Sequence, residues 1–168
     1  MHFTNTDNPV DFPKSYLKGV RGNLIDMAEA GDFDVIVHGC NCFCRMGSGI
    51  AKEIRARYPA AWEADYETEM GDMFKLGSFT TADTGKFLIV NAYTQYDTSK
   101  HGEDVFEYGS FDVILKKLAY AYGKRRIGLP YIGMGLAGGN KQRILAMIED
   151  FAETVSTKGG SVTLVEFG

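Results

Sequence analysis

The stretch Val37 to Ala51, VHGCNCFCRMGSGIA, decides how the rest of this 168-residue chain is read. It starts as the tail of the apolar run Val35-Ile36-Val37, whose β-branched residues mark a buried strand leaving a sheet. It finishes as a helix, with Ser48 at the N-cap position and Ile50, Ala51, Ile54 and Tyr58 at helical spacing. Gly39, Gly47 and Gly49 fall between the two. A strand, a glycine loop and a helix N-terminus let backbone N–H groups converge on a phosphate, where the helix dipole adds partial positive charge. The G-S-G preceded by R-M lacks the G-K-[ST] of NTPase phosphate loops and the G-x-G-x-x-G of dinucleotide folds. Kinase-like and hydride chemistry are therefore unsupported.

Composition narrows the field further. With 45% hydrophobic and 24% charged residues, the chain suits one globular domain able to bury a core on both faces of a sheet. A net charge of −4, from 18 Lys and Arg against 22 Asp and Glu, offers no field for nucleic acid, so an anion must be held locally by amides and helix ends. All three cysteines, Cys40, Cys42 and Cys44, fall within five residues, unlike a disulfide framework, and no signal peptide or long apolar span precedes them. A reducing cytoplasm is the expected setting, with neither membrane nor nucleic acid as partner. A zinc site would need a fourth ligand from His38, His101 or a carboxylate and lacks the C-x₂-C spacing, so no metal or cofactor is expected.

Outward from the opening stretch, residues 1–15 read as an irregular arm and residues 16–168 as a single domain. Tyr16 to Val20 has strand character, a short helix opens at Gly22 to Asp26 and runs through Ala30, and Phe33 to His38 is the first clear strand. Pro59 can start a helix continuing from Ala60 to Met70. Gly77 to Ala82 and Lys86 to Thr94 read as strands joined by the turn Asp83-Thr84-Gly85, and a long polar loop follows from Gln95 to Tyr108. Phe111 to Tyr122 returns to helical spacing, and Ile127 to Ile132 reads as a strand despite Pro130. It runs into a second glycine loop from Gly133 to Gly139, a helix from Lys141 to about Val155 capped by Asn140, and a last strand from Ser161 to Phe167. The alternation predicts a three-layer α/β/α domain with a mixed, largely parallel central sheet. Ligands bind such folds at the carboxyl ends of the strands, where both glycine loops fall, and two facing anion cradles suit a diphosphate.

Gly22-Asn23-Leu24, then VHGCN with RMGSGIA, then LPYIGMGL, taken in order, resemble the macrodomain family, whose members bind ADP-ribose. The nearest branches are the terminal ADP-ribose glycohydrolases and the yeast-type ADP-ribose 1''-phosphate phosphatases, and the resemblance runs from about Val20 to the C-terminus. It implies the macrodomain fold, ADP-ribose or a derivative as ligand, and an ADP-ribosylated protein as a further candidate partner. By the same resemblance Asn23, with Leu24, stands where most members have an aspartate that accepts a hydrogen bond from the adenine amino group. Asn41 matches the asparagine at the distal ribose, Met46, Gly47, Ser48, Gly49 and Ile50 the first diphosphate loop, and Gly133, Met134, Gly135, Leu136, Ala137 and Gly138 the second. Two positions depart. Ala137 replaces the aspartate of the glycohydrolase branch, and Asn91 falls where that branch has its lysine nucleophile, so a covalent lysyl intermediate is not expected.

What remains is hydrolysis at the anomeric C1'' of the distal ribose or at the phosphorus attached to it, which needs an oriented water and an acid or base. His38 could titrate near neutrality, Asp97 and His101 lie in the long loop after the central strand, and Asn41 and Asn91 could position the reacting groups. The expected function is a phosphatase converting ADP-ribose 1''-phosphate to ADP-ribose and phosphate. The alternatives are an ADP-ribosyl-ester hydrolase acting on proteins and a non-catalytic ADP-ribose reader.

Overall fold

The structure, a computed structural model, describes residues 15–98 and 103–168. Nearly all of the expected arm, and His101, lie outside the described residues. Among the described residues the elements are, in chain order, β1 (Leu17–Gly22), α1 (Leu24–Glu29), β2 (Val35–Cys40), α2 (Gly49–Arg57), α3 (Pro59–Tyr66), β3 (Phe79–Asp83), β4 (Leu88–Tyr93), α4 (Tyr108–Tyr122), β5 (Arg126–Leu129), α5 (Lys141–Thr157) and β6 (Ser161–Phe167), with a 3₁₀ turn at Met73–Lys75.

The apolar runs β2, β4, β5 and β6 build the middle of one six-stranded sheet in the order β1-β6-β5-β2-β4-β3. Every neighbouring pair is parallel except β3 with β4, where the Asp83-Thr84-Gly85 turn reverses the chain. Gly85 takes φ +91° there, and the Asp83 carboxylate accepts from its N–H. Side chains alternate across the sheet. Val35 and Val37 of β2 and Val90 and Ala92 of β4 pack with Ile114, Leu118, Ile148 and Val155 of α4 and α5. Ile36 and Ile89, of opposite parity, pack with Leu24, Ile54 and Ala61 of α1 to α3. Burying apolar side chains on both faces at about 25 cal/mol per Å² is the main force holding the three layers together. Among the described residues no helix is long and apolar enough to cross a membrane.

Several boundaries differ from expectation for identifiable reasons. β5 stops at Leu129 instead of running to Ile132, because Pro130 has no N–H for the ladder. α3 ends at Tyr66 instead of Met70, because the Thr68 hydroxyl and the Cys44 thiol both take up the Asp65 carbonyl. α4 begins at Tyr108, three residues before the apolar spacing does. Ser48 stands at the N-cap of α2 with extended backbone, yet its side chain makes no capping hydrogen bond. Asn140 does cap α5, accepting from the Arg143 N–H at 2.9 Å.

Candidate functional site

The carboxyl ends of β1, β6, β5, β2 and β4 open onto one cleft made of two adjoining cavities. The first, of about 640 Å³, is walled by Leu24, Ile25, Ile50, Tyr131, Val165 and Phe167, with Asn23, Glu53, Lys141 and Glu166 as its polar groups. The second, of about 480 Å³, lies between the two glycine bends and is lined by Asn41, Arg45, Gly47, Ser48, Thr94, Gln95, Gly133, Gly135, Leu136 and Ala137. Gly49, Ile50, Pro130 and Tyr131 border both, so a single elongated ligand can occupy the two.

Among the described residues, the N–H groups of Gly47, Ser48, Gly135, Leu136 and Ala137 donate to no protein acceptor. The first N–H groups of α2 likewise have no intrahelical partner. Gly133 is required on two counts. Its φ is +77°, and a Cβ there would sit 2.5 Å from the Phe106 ring. Behind the first bend, Met46 is fully buried and anchors the loop to the core instead of lining the cleft. Met134 is half-buried against the α4–α5 side, and Gly138, at φ +71°, closes the second bend by donating to the Gly135 carbonyl; neither lines a cavity.

Asn41 lines the second cavity but is partly spoken for. Its Oδ1 accepts from the Phe43 N–H at 2.9 Å, and its Nδ2 donates to the Arg45 carbonyl at 3.3 Å. One amide hydrogen and one lone pair remain for a ligand. Asn23 similarly caps α1, its Oδ1 accepting from the Asp26 N–H at 3.0 Å. Its amide N–H groups remain available to the first cavity.

The candidate catalytic residues separate. His38 and Asn91 are register partners on β2 and β4, and the Asn91 side chain reaches α3. His38 is 1% exposed and Asn91 fully buried. Asn91 Nδ2 donates to the Ala61 carbonyl at 3.0 Å and to Thr80 Oγ1 at 3.1 Å, so its Oδ1 accepts from His38 Nε2 at 2.6 Å. Burial lowers the His38 pKa from 6.5 to about 4 against the opposing effect of that bond. Neither residue lines either cavity. Asp97 lies beside the second cavity with its carboxylate on Arg45 at 2.8 Å and on the Thr98 N–H at 2.7 Å. Asn41, alone of the described residues proposed for catalysis, lines the cleft.

Beneath the first bend lies a polar cluster that the sequence did not announce. Tyr93 donates to the buried Asp65 carboxylate at 2.8 Å, and Lys75 donates to Thr68 Oγ1 at 2.7 Å and toward Cys44 Sγ at 3.7 Å. Burial raises the pKa of both Asp65 and Tyr93. All three cysteines are buried and unpaired, and burial pushes the Cys42 thiol up to about 11 and Cys40 well above its ordinary value. Among the described residues no three His, Cys, Asp or Glu side chains converge as metal ligands would. Arg45, Thr94, Gln95, Pro130 and Tyr131 were not expected at the site. Their common signal is position, since each follows shortly on the end of a strand or precedes the first bend.

A mixed sheet between helices with two glycine bends over its carboxyl edge is the macrodomain fold. Solved macrodomains superpose on it. That of Thermus aquaticus DarG has a TM-score of 0.66 at 20% identity, covering 89% of this chain and 97% of that one. Thermosipho africanus DarTG in complex with ADP-ribose has a TM-score of 0.69 at 14% identity, covering 91% of this chain and 42% of that one. The chain belongs to the same family as the uncharacterized 17.5 kDa protein of the tk-vs intergenic region of Enterobacteria phage T4. The two are 33% identical over 152 residues, 84% of this chain and 91% of the phage protein. A shorter similarity, 41% over 46 residues, links 27% of this chain to 21% of an ADP-ribose 1''-phosphate phosphatase of Aspergillus oryzae. No family model matches the chain.

Proposed function

We propose that this protein binds ADP-ribose derivatives and hydrolyses the phosphate ester of ADP-ribose 1''-phosphate, releasing ADP-ribose and inorganic phosphate. The observation carrying the reading is the pair of facing bends, each with free main-chain N–H groups, across a cavity continuous with a second, apolar one. Main-chain amides grip a diphosphate without bringing a counter-charge of their own. The apolar cavity takes a nucleoside, with Asn23 at its polar edge, and the cavity at Asn41 takes the distal ribose. Water attacking the terminal phosphorus displaces the 1''-hydroxyl, and the chain contributes by fixing both ends of the ligand about that bond. The similarity to the A. oryzae phosphatase supports the choice of ester.

One observation favours a second reading, a non-catalytic ADP-ribose reader. Among the described residues, the lining of the distal cavity contains neither a carboxylate nor an imidazole. Calorimetry with ADP-ribose, run beside phosphate release from ADP-ribose 1''-phosphate and ADP-ribose release from a modified protein, separates the readings. Heat on titration with turnover of the phosphate ester is the expected result. Binding without turnover of either substrate selects the reader, release from protein selects the ester hydrolase, and no binding rejects all three.

A further inference from the structure

Among the described residues, Arg45 is the one side chain with a permanent charge in the lining of the distal cavity. Three contacts and a strained turn hold it there. Cys44, just before it, has φ +57°, a left-handed conformation that disfavours any side chain but glycine's. The Cys44 thiol points inward and donates to the Asp65 carbonyl at 3.3 Å, so the turn sends Arg45 out to the cleft. The Arg45 carbonyl accepts from Asn41, its guanidinium lies 5.0 Å from the centre of the Phe43 ring, and one Nη donates to Asp97 at 2.8 Å. Among the described residues its other guanidinium N–H groups meet no acceptor.

We propose that Arg45 is the specificity determinant for a second anion, a phosphate monoester on the distal end of the ligand. In this proposal Asp97 is the counter-ion that positions the guanidinium and yields it to that phosphate. The proposal rests on the ADP-ribose reading and refines it. Strained backbone spent on aiming a cation at a cavity marks a functional position. A guanidinium fork matches a phosphate bidentately, and a phosphate monoester carries nearly two charges near neutral pH against one on the carboxylate. A ligand ending in an unphosphorylated ribose has nothing to offer in exchange, so it leaves the Arg45–Asp97 pair intact. The pair thus grades ligands by terminal charge.

The test is calorimetry of wild type, Arg45→Gln, Arg45→Lys and Asp97→Asn against ADP-ribose and ADP-ribose 1''-phosphate, with KM replacing affinity where the second is turned over. Arg45→Gln should weaken the phosphorylated ligand about ten- to a hundredfold, the range of a charge-assisted contact, and leave ADP-ribose within about twofold. Arg45→Lys should recover part of the loss, and Asp97→Asn should tighten the phosphorylated ligand alone. Equal weakening of both ligands by Arg45→Gln, or no weakening of either, overturns the proposal. Should Arg45→Gln not fold, an unchanged ratio of the two affinities in Asp97→Asn overturns it just as well. Failure of wild type to bind ADP-ribose overturns the underlying reading, a result distinct from an unchanged ratio.

Discussion

Acid should destabilise this protein through His38, and the size of the effect follows from its surroundings. The ring is buried, its Nε2 proton is committed to Asn91 Oδ1, and its pKa is lowered from 6.5 to about 4. Between those values the unfolded chain binds a proton that the folded chain does not. The contribution is therefore fully present above pH 6.5 and falls by about 1.4 kcal/mol per pH unit on acidification until the folded pKa is reached. From pH 7 to pH 4.5 the loss amounts to about 2 to 3 kcal/mol by the same relation. Urea unfolding of wild type and His38→Gln at pH 7, 5.5 and 4.5 isolates it. Carboxylates such as Asp34, whose pKa is lowered by its bond to Arg126, titrate in both proteins and cancel in the difference. Wild type should lose stability more steeply than the variant by that amount. Parallel pH profiles would refute the claim that His38 is held neutral. An apparent pKa of 6 to 7 in turnover that disappears in the variant would place the imidazole at the reaction after all.

Two further outcomes follow from the bends and helix caps. Gly133→Ala combines a left-handed residue with a Cβ driven into Phe106, which is itself wedged against Phe111 and Tyr108. It should lower stability by about 2 to 4 kcal/mol in urea unfolding and weaken ADP-ribose binding. Asn140→Ala should cost about 1 kcal/mol of stability through the lost α5 cap, whereas Ser48→Ala, which breaks no capping bond, should cost a few tenths at most, and thermal denaturation of the two variants side by side compares them.

The parts of this fold that could be read in advance are those set by local chemistry. The β-branched run Val35-Ile36-Val37 placed β2. The Asp83-Thr84-Gly85 turn announced the antiparallel pairing of β3 with β4, and strand-to-helix glycines marked both bends before any neighbour was known. What escaped depends on partners distant in sequence. α4 starts at Tyr108 without a side-chain cap, and that tyrosine's hydroxyl serves the Asn140 N–H, 32 residues away. The end of α3 is decided by Cys44 and Thr68 meeting the Asp65 carbonyl. His38 has the residue type of a catalyst and precedes the loop by one residue, yet only its bond to Asn91, 53 residues away, and its burial reveal that the ring is closed off.

The strand ladders explain the separation of the candidate residues. β2 and β4 end together at the pair Cys40 and Tyr93, and His38 pairs with Asn91 two residues earlier. That far inside the ladder, Asn91 is roofed by α3 through the Ala61 carbonyl, and His38 is buried against Asn91. Residues just past the ladder reach the cleft instead. Asn23 after β1, Asn41 after β2, Thr94 and Gln95 after β4, and Pro130 and Tyr131 after β5 all line the cleft. Among the described residues, most side chains that line the distal cavity therefore come from the segments just beyond the strand ends and from the start of α2. The segment after β4 contributes Thr94 and Gln95 to the lining of the distal cavity and sets Asp97 beside it on Arg45, so β4 serves that cavity only through residues past the ladder.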